Sequence, residues 1–179
     1  MEILSSFSVP DAISFEQAIE VTQSLLDEIE QNHLSETDLE SIITALVQTE
    51  NGARGFFVTY LSDDRAVFDH PTSGIIQGLK SSPEVVAQLL TKNLAMSTAM
   101  IETHTRNNKP DLASGSERVQ RRTKQVIERL QLPELQTRLQ ILKANLETGD
   151  GEYESFLQRW QYDAVQRHAI AKQVQSVLA

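Results

Sequence analysis

Helix-start signatures recur along the whole chain and leave little room for any fold but a helical one. Ser14-Phe-Glu-Gln17 places a serine at an N-cap and a glutamine three residues on, the reciprocal pair of a capping box. Ile19, Leu25, Leu26 and Ile29 follow at helical spacing, which predicts a helix over about 15–31, closed by Asn32 and His33. Ser35-Glu-Thr-Asp38 opens a second helix, with acids in the first turn, where the helix dipole favours them. Leu39, Ile42, Ile43, Leu46 and Val47 give it one apolar stripe. Together these two segments read as an antiparallel αα-hairpin with an acidic outside. Ser82-Pro83-Glu84 combines a serine cap with proline at the first helical position, and its helix should reach about Asn107. Residues 108–113 read as a linker, followed by Ser114-Gly-Ser-Glu117 as another capping box. Pro133 begins a further helix that ends near Gly149-Asp150-Gly151. A short helix holds Tyr153, Phe156, Leu157 and Trp160, and Asp163 with Gln166 opens the last one, to about 177.

Residues 51–69 are ambiguous. Asn51 can cap a helix through Phe56, Phe57, Tyr60 and Leu61, or Phe56–Leu61 can be a strand that returns through Arg65–Phe68. The helix is favoured, because an isolated two-stranded hairpin is marginal and no other strand is available to extend it. Seven glycines and five prolines in 179 residues are few, which also argues against many short strands. The expectation is an all-α bundle of about seven helices, a single domain over 1–179 with a weak internal boundary near 108–113.

Charge is unevenly spread. Residues 1–50 carry eleven acids and no base, whereas 51–179 carry fourteen acids and sixteen bases. Within the latter, 106–129 holds seven bases against three acids. Such asymmetry marks a partner surface or two solvated faces. There is no cysteine, so disulfides, thiolate metal sites and a cysteine nucleophile are excluded. Met1 to Pro10 lacks the basic and apolar regions of a signal peptide, and no uncharged helical run is long enough to span a bilayer. These features predict a cytoplasmic protein with no membrane association.

A search for chemistry returns little. His33, His70, His104 and His168 do not pair at metal-ligand spacing, and a calcium loop centred on Gly151 would need acids where Leu146 and Leu157 stand. No phosphate-binding loop and no nucleophile elbow occurs, and Asp63-Asp64 is a turn pair whose side chains point apart. No metal and no cofactor is expected. The helix over 83–107 is less bland: Val86, Leu90, Asn93, Ser97, Met100 and His104 share one face. Polar groups on such a stripe are either satisfied by neighbouring helices or line a pocket for a small ligand, held by Asn93, Ser97, Met100 and His104. On 114–131, Arg118, Arg121, Arg122 and Arg129 form a cationic stripe suited to carboxylates. No aromatic interleaves with it and the whole chain is acidic, which argues against nucleic acid. Arg159, Trp160 and Tyr162 have the composition of an interface anchor, or staple a helix junction beside an Asp163–Arg167 ion pair.

Three functions fit these features. The favoured one is a non-catalytic interaction or adaptor protein that meets a protein partner or a second copy of itself through Arg118, Arg121, Arg122, Arg129 and Trp160. A ligand-binding or regulatory bundle built on the polar stripe is the alternative. The third is an enzyme whose site is assembled from distant residues.

Overall fold

A computed structural model describes residues 7–178. Most of the Met1–Pro10 stretch read above for a leader lies outside these residues. Nine α-helices and one 3-10 turn are present, and no strand occurs among the described residues. The all-α expectation holds. The chain divides into two compact units, the first ending at Leu89 and the second beginning at Leu90.

The first unit holds α1 (Phe15–Glu30), α2 (Glu36–Val47), α3 (Glu50–Ser62), a 3-10 turn (Ala66–Asp69), α4 (Ser73–Lys80) and the start of α5 (Pro83–Arg106). The Ser14 and Ser35 caps form as capping boxes. Residues 51–69 take the helical alternative. Its cap is Thr49, whose hydroxyl accepts from Gly52 N at 3.0 Å, rather than Asn51. The α1–α2 hairpin is not the pairing that forms: α1 lies along α3, and α2 along α4. The cause is close approach at glycines. A Cβ on Gly55 would fall on Ala18 of α1, and one on Gly78 would stand 2.6 Å from Ile43 Cβ of α2. Phe56, Phe57, Tyr60 and Phe68 fill the core as an aromatic cluster, with Phe56 stacked on Tyr60 at 5.3 Å. Glu36 reaches from α2 to cap α4, accepting from Gly74 N and from Ser73 Oγ. Those bonds, the one from Gly74 first, hold its carboxyl below the usual range. Part of the acidic charge of α1 is neutralised locally: Arg65 pairs with Asp27 at 2.8 Å, Glu30 at 2.9 Å and Asp63 at 2.8 Å.

The second unit holds the rest of α5 with α6 (Pro110–Leu130), α7 (Pro133–Thr148), α8 (Glu154–Arg159) and α9 (Ala164–Leu178). α6 begins four residues earlier than Ser114 because Pro110 stands at its first turn with Asp111 behind it. Most of the expected linker is therefore helix, and Ser114 and Gly115 lie inside it. The turn between α5 and α6 is made at Asn108, which adopts φ +50°. α7 ends at Gly149 in the left-handed conformation, as its position past the last periodic residue implies. α7 and α6 pack on α9. Gln120 Nε2 donates to Thr98 Oγ1 at 2.9 Å, and Lys124 Nζ donates to Gln173 Oε1 at 3.2 Å, which join α6 to α5 and to α9. The apolar core includes Leu94, Val126, Ile127, Leu135, Leu139 and Ile170.

Candidate interaction surface

The polar stripe of α5 is unevenly buried. Ser97 is buried, but its hydroxyl donates back to Asn93 O at 2.7 Å, so its donor is spent inside its own helix. Met100 lies at the surface, while Asn93 and His104 are half-buried. None of the four lines the shallow groove of about 280 Å³ on α7 and α9, which is bounded by Gln140, Lys143, Ala144, Glu147, Gln175 and Leu178. Among the described residues no group of three or more His, Asp or Glu could hold a metal.

The arginine stripe is not one exposed face. Arg121 and Arg129 are exposed and Arg118 is half-buried, but Arg122 is 1% exposed. Arg122 stands one turn before Val126 and two before Leu130, both buried, so the helix turns it inward. All four arginines already engage neighbours.

Trp160 occupies a different setting. It lies at the corner between α8 and α9, 49% exposed, with the Arg159 guanidinium over its ring at 5.9 Å. The corner is held from several sides. Gln161 turns the chain with φ +52°. Tyr162 is buried and packs edge-on against Phe156 at 6.1 Å, and Phe156 against Tyr153 at 6.4 Å. Burial pushes the Tyr162 hydroxyl up to about 12.

Asp163 caps α9: Gln166 N donates to Asp163 Oδ1 at 2.9 Å, and Asp163 N donates to Gln166 Oε1 at 3.0 Å. Asp163 also pairs with Arg106 at the end of α5 through both guanidinium nitrogens. Arg106 first, and the Gln166 amide second, hold the Asp163 carboxyl down to about 2. The buried Gln166 side chain donates to Ala99 O at 3.1 Å and Thr103 Oγ1 at 3.0 Å, so α9 is bolted to α5.

The expected Asp163–Arg167 pair does not form. Arg167 turns to Glu154 at 3.0 Å and to Tyr162 O at 3.1 Å. Glu154 in turn accepts from Asn145 Nδ2 at 3.3 Å, and the buried Asn145 accepts from Tyr153 N at 2.7 Å. A local i, i+4 pair on an exposed helix is worth only about 0.3–0.5 kcal/mol, so the half-buried, two-pronged contact to Glu154 prevails.

Six large apolar side chains are exposed among the described residues, and four fall at this end of the second unit: Met100 (37%), Leu112 (50%), Trp160 and Val165 (56%). The Arg106–Asp163 pair and the Gln166 bonds bring the end of α5 to the start of α9, and α6 starts four residues after α5 stops. An indole on a fixed corner loses little conformational freedom on contact, so such a side chain serves as a binding anchor. The sequence pointed to Trp160 by composition. Met100 was placed there in a pocket, and Leu112 and Val165 carried no signal, being single apolar residues in polar stretches.

Residues 14–177 match the model of a protein family described as "Uncharacterised conserved protein UCP020893". No curated protein and no solved structure matches the chain. Among the described residues no helix is long and apolar enough to cross a membrane.

Proposed function

We propose that the chain, which belongs to that family, is a non-catalytic helical interaction module. Its docking end is the α8–α9 corner with the adjoining ends of α5 and α6. One observation carries this reading: the only tryptophan of the chain is half exposed on a corner fixed by a buried tyrosine, a capping box and two interhelical ion pairs. Four of the six large apolar residues exposed among the described residues stand on the helices that meet at this end, and apolar surface concentrated in one region marks a contact surface. The two carboxylates of the corner itself are occupied structurally, Asp163 by Arg106 and Gln166 and Glu154 by Arg167, which favours docking over acid–base chemistry there. A cytoplasmic setting and a protein partner belong to the same proposal.

Site-directed photo-crosslinking tests it. A photoreactive side chain at the exposed Gln158 should give a defined adduct in cell extract that Trp160→Ala abolishes. The same probe at the exposed Gln131, outside this end, should give none. Equal adducts from both positions, or adducts indifferent to Trp160→Ala, would remove the reading.

A further inference from the structure

We infer that the partner at this end is a second copy of the chain, presenting the outer face of α1; the inference rests on the docking end proposed above. The argument is charge and apolar complementarity. α9 contains no acid, and its exposed face runs Val165, His168, Lys172, continuous with Arg159 and Trp160 at the corner. The nearest acid in sequence, Asp163, is held by Arg106. The face is therefore an apolar end flanked by two cations, Arg159 and Lys172, with no carboxylate on α9 itself.

α1 offers the converse. Glu16 and Glu20 are exposed one turn apart, and Gln17, Gln23 and Ser24 continue the exposed side. Beside the two acids, Phe15 and Ile19 are half-buried, leaving apolar surface next to the carboxylates. α1 holds no base; the Arg54 guanidinium lies 5.0 Å from the Phe15 ring centroid. In the contact, Trp160 and Val165 cover Phe15 and Ile19, while Arg159 and Lys172 face Glu16 and Glu20. The two surfaces differ, so the association is heterologous.

Sedimentation of the full chain tests this over a range of concentrations, at about 20 mM and about 500 mM salt, since screening shortens from roughly 20 Å to a few ångströms between them. The wild type should self-associate, with affinity falling about tenfold or more at the higher salt. Glu16→Lys with Glu20→Lys, and separately Arg159→Glu with Lys172→Glu, should each leave a monomer. Mixing the two variants should restore a complex, because each retains the partner face the other needs. Unchanged thermal melting of both variants excludes unfolding as the cause. A wild type that stays monomeric at every concentration, or variants that associate undiminished, would overturn the inference. In either case the crosslinking result at Gln158 still judges the docking end by itself: a Trp160-dependent adduct with another protein keeps the end and removes the second copy.

Discussion

Replacing Gly78 by alanine puts a methyl group where α4 meets α2. The new Cβ would stand 2.6 Å from Ile43 Cβ, 2.8 Å from its Cγ2 and 3.0 Å from Glu40 O. Carbon atoms pack at about 3.5–4.0 Å, so the overlap is about 1 Å. Ile43 is fully buried and β-branched, with one strongly preferred rotamer in a helix, and the Glu40 contact is backbone. Neither can swing aside, so the helices must part. Overpacking of this kind costs about 1–3 kcal/mol, and the upper part of that range applies here. Against it stands the gain of about 1 kcal/mol from replacing glycine in a helix. The net expectation is a loss of about 1–2 kcal/mol. Gly115 is the matched control, since a Cβ there meets nothing within 4 Å. Gly115→Ala should stabilise by about 1 kcal/mol through helix propensity alone. Urea unfolding followed by far-UV circular dichroism measures both: the Gly78 midpoint should fall and the Gly115 midpoint should rise. A Gly78→Ala protein as stable as wild type would refute the close α2–α4 approach, and a destabilised Gly115→Ala would refute the placement of Gly115 inside α6.

Glu36→Gln should destabilise the chain at neutral pH by weakening the α4 cap. The native carboxyl titrates below its unfolded value, so its contribution is present above that value and disappears as pH falls through the native one; the two proteins should converge in urea stability in acid. Tyr162 shows the opposite sign: its native value is raised to about 12, so its contribution is full below about 10 and lost as pH rises towards 12, and Tyr162→Phe should move alkaline unfolding to higher pH. Gln166→Leu removes a capping-box partner and both bonds to α5, and should cost about 1–3 kcal/mol in chemical denaturation; a loss below about 0.5 kcal/mol would mean that α9 is not bolted to α5 through this side chain.

Local grammar made most helix starts legible. The Ser14, Ser35 and Asp163 caps and the Pro83 and Pro133 starts each involve residues three or fewer apart, and each appears where the sequence put it. The start of α6 was missed because two signals, Pro110 and Ser114, stand four residues apart and nothing between them stops a helix from the earlier one. Helix pairing was not legible, since it depends on Gly55 meeting Ala18 and Gly78 meeting Ile43 across the fold. The same holds for Arg167, whose neighbour in sequence is Asp163 but whose partner in space is Glu154. Trp160 was legible by type alone. Its exposure, and the placing of Leu112 and Val165 at the same end, follow from how the end of α5 meets the starts of α6 and α9.

Because Trp160 is the only tryptophan, incorporating 5-hydroxytryptophan labels the docking end alone, and its emission is excited apart from that of any tryptophan in a partner. The most direct measurement is acrylamide quenching of that emission in the free chain and in a complex isolated on the tagged protein. The free chain should be readily quenched, as a half-exposed indole is, and the complex should show the indole shielded with a blue-shifted emission. A complex in which Trp160 is quenched as freely as in the isolated chain would mean that the partner binds elsewhere, and that the α8–α9 corner is not the docking end.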